Sequence, residues 1–219
     1  DLAEKGDYLI DGYHAAGKKE IERTFVTKRN SMLIRLALST GMRRGELFGL
    51  SWSDVDFDNC TVNVHQALIN RRIAEVKTSN SIRKIIIDKT TMNKLKDWHL
   101  WLEKYCEELP MLFQNKENLV FQNKYGRPID VDDFSRRHLH KIVAYSGLPK
   151  NITMHSLRHT VATLLLENGV PANVVSAQLG HASTSFTLSV YVHLTNKMEQ
   201  SAADMIGNLL DGSNETKNS

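Results

Sequence analysis

Residues 61–87 read TVNVHQALINRRIAEVKTSNSIRKIII, and here the periodicity of the chain changes. Thr61-Val62-Asn63-Val64-His65 alternates polar and apolar side chains, the two-residue period of a half-buried strand. Ile73-Ala74-Glu75-Val76 and Ile85-Ile86-Ile87 are the next two strand candidates. Between them, Thr78-Ser79-Asn80-Ser81 supplies the short polar side chains of a hairpin turn. A small three-stranded antiparallel sheet is expected here.

On both sides of this stretch the spacing is helical. Within residues 28–39, Met32, Leu33, Leu36 and Ala37 recur at the i, i+3, i+4 spacing of a helix face. Gly41 interrupts it, a short helical stretch follows from Arg43 to Leu50, and Trp52–Asp56 reads as a turn. After the sheet, Thr90 or Thr91 can cap a helix bearing Met92, Leu95, Trp98, Leu102 and Tyr105, and Pro110 ends that region. Asp130 can cap a helix running through Tyr145, with Phe134, Ile142 and Val143 inward and Gly147 as a stop. A helix after His155 carries Leu157, Val161, Ala162, Leu164 and Leu165. Pro171 suits the start of the next, with Val174, Val175 and Leu179, and Gly180 ends it. A last helix carries Ala202, Ala203, Ile206, Leu209 and Leu210. The fold class expected is α+β, mainly helical around that one sheet. Residues 1–26 read as a lead-in or linker remnant, 27–211 as the domain, and 212–219 as a polar, disordered tail.

Composition excludes several function classes. The 219 residues are 41% hydrophobic and 24% charged, ordinary for a globular protein and against disorder or a fibrous repeat. No run of about 18 apolar residues occurs, so a membrane span is not expected. The first residues, Asp1-Leu2-Ala3-Glu4-Lys5, have no apolar core of a secretory signal, and a reducing, cytoplasmic setting fits the two cysteines, Cys60 and Cys106. The chain does not begin with Met, as expected for a piece of a longer protein. The net charge of +3 permits a nucleic-acid partner if the basic groups gather on one face.

Three clusters combine strong donors with tight turns: Thr40-Gly41-Met42-Arg43-Arg44-Gly45-Glu46, His155-Ser156-Leu157-Arg158-His159, and Leu179-Gly180-His181 with Tyr191 ten residues on. Singly, each has an ordinary structural explanation: a solvated arginine, a core histidine, a packed tyrosine with its hydroxyl at the rim. Together and in order, with a hairpin lysine between the first two, they resemble the tyrosine recombinase (integrase) family, most closely the integrases of phages and conjugative transposons. The strings that carry the resemblance run from about Met32 to Leu194 and include Leu50-Ser51-Trp52-Ser53-Asp54-Val55-Asp56, Gln178-Leu179-Gly180-His181 and Tyr191-Val192-His193-Leu194.

The resemblance implies a role for each residue. Arg43 and Arg158 clamp the non-bridging oxygens of a DNA phosphate, which always-charged guanidinium forks suit. Tyr191 is the nucleophile that forms a 3′-phosphotyrosyl ester. Lys77 is the general acid for the leaving 5′-oxygen, with Lys84 on the returning strand as competitor. His155 accepts the tyrosine proton or orients the phosphate, and His181 donates to a phosphate oxygen. Arg44, although adjacent to Arg43, is expected on another helix face. His159 is read as structural or supporting, and His193 as a brace for the nucleophile segment. No cofactor, metal or ATP is implied, and the sequence has no Walker loop and no zinc-spaced Cys/His set.

Double-stranded DNA is the implied partner, with a tetramer on DNA and accessory DNA-bending factors for the full-length protein, and no membrane. The helix with Ile206, Leu209 and Leu210 is a candidate for packing on a neighbouring protomer or on its own core. The family's helical DNA-gripping domain is expected to be missing, so isolated DNA binding should be weak and salt-dependent. Competing readings are a helix-turn-helix-like binding module over residues 161–191, a type IB topoisomerase, and an inactive integrase.

Overall fold

A computed structural model describes residues 18–76, 81–108, 114–180 and 206. Helix α1 runs Lys18–Thr40, beginning well before the apolar spacing indicated. Residues 18–26, read above as lead-in, are thus helical and carry Phe25, which is wholly buried. The buried stripe is Phe25, Arg29, Met32, Leu33, Leu36, Ala37 and Thr40. An arginine on this stripe hides the helical period from a hydrophobicity reading. Phe25 packs on three aromatic rings of helix α3 (Lys89–Glu108), with centroids 5.8 Å from Trp98, 6.1 Å from Trp101 and 4.8 Å from Tyr105.

The cap of α3 is Asp88 rather than either threonine: its Oδ1 accepts from the Thr91 amide at 2.8 Å. Further along α3, the Trp98 indole donates to the Val120 carbonyl at 3.0 Å and ties down the buried segment Leu119–Phe121. Pro110 lies outside the described residues.

Helix α2 (Arg44–Gly49) and a 3₁₀ turn (Trp52–Asp54) lead into two antiparallel sheets, not one. Strands β1 (Val55–Asp56), β2 (Thr61–Val64) and β5 (Arg83–Ile86) form a three-stranded sheet in the order β1-β2-β5, with Val62 opposite Ile85 and Val64 opposite Arg83. Strands β3 (Gln66–Ile69) and β4 (Arg72–Glu75) form a separate hairpin. The strand expected at 73–76 therefore pairs with residues 66–69 and not with 85–87. Its turn is Asn70-Arg71, both at positive φ (50° and 62°), a two-residue loop without the glycine that marks such turns. Strand β3 escapes the alternation test because Ala67 and Leu68 are both buried, under α2. A Cβ on Gly49 would lie 2.7 Å from the Leu68 amide, so helix and strand meet backbone to backbone.

The expected helix 130–145 is α4 (Val131–Phe134), a π-helical turn (Ser135–Leu139) and α5 (His140–Tyr145). Asp130 caps it, accepting from the amides of Asp132 at 3.1 Å and Asp133 at 3.0 Å. Helix α6 (Met154–Glu167) starts one residue before His155, because Thr153 Oγ1 accepts from the Ser156 amide at 3.1 Å. Its buried face is Met154, Arg158, Val161, Ala162 and Leu166, while Leu164, expected inward, is exposed. Helix α7 (Ala172–Leu179) ends at Gly180, φ +67°, as expected. Val161, Ala162, Leu166, Val175 and Leu179 form a small second cluster beside the main core. A Cβ on Gly41, itself at φ +64°, would come within 2.3 Å of the Leu179 side chain, so the end of α1 and the end of α7 touch through a glycine. Apart from Ile206, the expected last helix lies outside the described residues.

Candidate active site

Three arginines from three parts of the chain converge on the last turn of α7. Arg83 Nε donates to the Gln178 carbonyl at 2.7 Å, and Arg158 Nη2 to the Leu179 carbonyl at 2.8 Å. Arg43 Nη2 donates to the Gly180 carbonyl at 2.5 Å. The last carbonyls of a helix have no partner within it and carry the negative end of its dipole, so three cations on three consecutive carbonyls satisfy both needs. Arg158 Nη1 also donates to the Gly41 carbonyl at 2.8 Å, which joins α6 to the start of the Arg43 loop.

Glu46, buried in α2, sits between two of these arginines. Its Oε1 accepts from Arg43 Nη1 at 2.9 Å and Arg83 Nη1 at 3.2 Å. Its Oε2 accepts from Arg83 Nη2 and from the Arg43 amide, each at 2.8 Å. Burial pulls the Glu46 carboxyl upward, but the hydrogen bonds and charge of Arg83 and the bonds from Arg43 outweigh it and hold it below its usual range. Arg158 is lowered to about 10, first by burial and then by repulsion from Arg43 and Arg83, partly offset by Glu46. At neutral pH its guanidinium remains charged.

The cluster opens on a cleft of about 710 Å³ whose lining includes Arg43, Arg136, His140, Met154, His155 and Arg158. A second cleft, about 640 Å³, shares Arg43 and Arg44 and is bounded by Glu46, Arg71, Val76 and Ser81. His155 and His159 face each other on α6 with Nε2 atoms 2.8 Å apart, so one ring donates to the other. Burial, and then the neighbouring His155 and Arg158, hold His159 below the ordinary imidazole range.

The structure brings Arg43, His155 and Arg158 to one cleft. Lys77, His181 and Tyr191 lie outside the described residues, as does His193. Val76 and Ser81, which flank residues 77–80, line the second cleft beside Arg43. Arg44 is exposed and paired with Asp132 at 3.0 Å. Lys84 is exposed on the face of β5 opposite Arg83. Sequence reading missed Glu46 and Arg83. The first stands three residues after Arg43, a helix-start spacing. The second shares a strand face with Ile85 and Ile87, where an arginine is out of place unless partnered.

Among the described residues no group of three or more His, Cys, Asp or Glu gathers as a metal site, and no helix is long and apolar enough to cross a membrane.

Guanidiniums thus gather around one buried carboxylate at the edge of a cleft. Comparison with known proteins gives the class: residues 18–198 match the phage integrase family, and the chain belongs to it. A tyrosine recombinase XerC-like protein of Caldanaerobacter subterraneus subsp. tengcongensis is 30% identical over 94% of this chain and 56% of its own length. The ICEBs1 integrase of Bacillus subtilis is 30% identical over 80% of this chain and 48% of its own length. The chain thus spans about half the length of the curated relatives it matches. Among solved structures, the Tn1549 transposon integrase in complex with transposon right end DNA superposes with a TM-score of 0.67 at 24% identity, over 88% of this chain and 65% of that one. XerA recombinase gives 0.59 at 24% identity, over 87% and 64%. These likenesses establish the fold: a tyrosine recombinase catalytic domain.

Proposed function

We propose that the chain is the catalytic part of a site-specific recombinase that cuts and rejoins double-stranded DNA and moves a mobile element into or out of a chromosome. The observation that carries this reading is the convergence of Arg43 and Arg158 at the end of α7, on the cleft that His155 also lines. Attack on a phosphodiester builds negative charge on the non-bridging oxygens, and preorganised guanidiniums meet it without reorganisation.

In this reading the phenol oxygen of Tyr191 attacks phosphorus and its proton passes to His155. The bond from phosphorus to the 5′-oxygen breaks, and Lys77 supplies that oxygen with a proton. The placement of Val76 and Ser81 beside Arg43 supports Lys77 in this role, and the exposure of Lys84 on the opposite strand face speaks against the competitor. His181, directly after the three arginine-bound carbonyls, donates to a phosphate oxygen. The 3′-phosphotyrosyl ester preserves the energy of the broken linkage, so rejoining by the reverse step needs neither ATP nor a metal. In the full-length protein two duplexes are cut within a tetramer, aided by DNA-bending factors. Family relatives named as recombinases and integrases, one of them from a phage, support recombination over simple relaxation of DNA.

The test is a pool of nicked duplexes of random sequence, incubated with the chain and then denatured. The expected result is a covalent protein–DNA adduct enriched in one sequence and lost in Tyr191→Phe. A binding module would retain duplexes without any adduct, and a topoisomerase would relax plasmids carrying the enriched site without exchanging strands between them.

A further inference from the structure

We propose that Arg83 is a positioning residue for phosphate binding: it neutralises the buried Glu46, so that Arg43 keeps its charge for the phosphate instead of spending it on its own carboxylate. This deepens the reading above and rests on it only for the identity of the phosphate carrier.

Arg83 is placed for this and not for touching DNA. Its side chain is 8% exposed, against 39% for that of Arg43. It donates to both oxygens of Glu46, to the Gln178 carbonyl and to the Ser81 carbonyl, so its fork is occupied by protein. Gly180 lies close to it: an added Cβ would stand 2.8 Å from Arg83 Nη1.

Charge arithmetic gives the consequence. Arg43 and Arg83 bond one carboxylate and Arg158 stands beside them on the Leu179 carbonyl, so among the described residues of the cluster two positive charges are left in excess for an incoming phosphate. Without Arg83, Arg43 would be the only cation bonded to Glu46 among the described residues. A buried carboxylate holds a lone guanidinium partner strongly, because the alternative is an uncompensated charge out of water. The Arg43 fork would close on Glu46 in a bidentate pair, and a phosphate would have to compete with it. A purely mechanical staple between β5, α2 and α7 would not depend on the sign of the charge.

That difference sets the experiment. Inorganic phosphate is titrated into the 219-residue chain and followed by the NMR signals of the arginine side chains. Adduct formation on the enriched duplex is measured in parallel at saturating DNA. Arg83→Gln should weaken phosphate binding about 10-fold and slow adduct formation about 100-fold. Arg83→Lys, which keeps the charge but not the fork, should stay within about 3-fold in phosphate affinity. Arg83→Gln combined with Glu46→Gln should recover at least half of the logarithmic loss, because no buried carboxylate is left to capture Arg43. Equal losses in the Lys and Gln variants, or a double variant no better than Arg83→Gln, overturn the proposal. If Arg83→Gln fails to fold, the comparison of Arg83→Lys with Glu46→Gln decides: a positioning role through charge predicts near-normal phosphate affinity in the first. Should the unsubstituted chain cut no duplex at all, the recombinase reading fails while the phosphate titration still decides the role of Arg83.

Discussion

Two arginines of this domain are almost equally buried, and they do unrelated things. Arg29, in the middle of α1, is 3% exposed, and Arg158, on α6, is 5% exposed. Burial lowers both to about 10, and both stay charged at neutral pH. Arg29 is closed off by neutral groups. Its Nε and Nη2 donate to Asn30 Oδ1 at 3.0 and 2.7 Å, its Nη1 to the Gln122 carbonyl at 3.3 Å, and the Phe25 ring lies 5.8 Å away. Arg158 stands with two other guanidiniums and a carboxylate at a helix end and borders a cleft. A depressed arginine is therefore no mark of a site. Convergence of several like charges at one opening is what sets Arg158 apart, because repulsion of that kind persists only where a carboxylate, a fixed dipole or a ligand compensates it.

Substitutions can break this contrast. Arg158→Ala should slow adduct formation at saturating DNA by about 1000-fold, the loss of a preorganised donor from the transition state. Single-turnover cleavage measures it. Arg29→Ala should leave that rate within about 2-fold per folded molecule but lower stability by about 2–4 kcal/mol, through a cavity and unpaired core carbonyls. Urea unfolding reads this, and a rate loss matching that of Arg158→Ala would erase the distinction. The smallest effect is on pH dependence. Glu46 is held below its ordinary 4.5, so it contributes stability fully present above that value and lost as pH falls through the lower folded-state one. The stability gap between the unsubstituted chain and Glu46→Gln should therefore narrow as melts are taken from neutral pH down through 4.5. A gap that widens on acidification would show that Glu46 is not a charged partner of the arginines.

The contrast also explains what could be read from the sequence. Arg43, His155 and Arg158 were legible because each stands in a short string whose spacing resembles a family pattern. Helices α3, α6 and α7 were legible because their apolar faces repeat at helical spacing. The start of α1 was hidden by Arg29 on its buried stripe, and β3 by the burial of adjacent Ala67 and Leu68 under a glycine-bearing helix. The Asn70-Arg71 turn lacks the usual residues, so the β3–β4 hairpin leaves no turn signal in the sequence, and the partners of Arg83 are residues far from it in sequence. What stayed hidden depends on which polar groups meet across long stretches of chain, and local periodicity carries no trace of that.

The touch of Arg43 on the Gly180 carbonyl spans 137 residues of sequence, and that of Arg158 on the Gly41 carbonyl spans 117. Contacts of such separation are entropically costly to close and tend to form late in folding. A ribosome-bound or half-folded chain would hold the same arginines scattered, with no common acceptor to gather them. The cluster of Arg43, Arg83 and Arg158 would then assemble only when the last turn of α7 docks. Completion of the fold would itself set the moment at which that charge gathers.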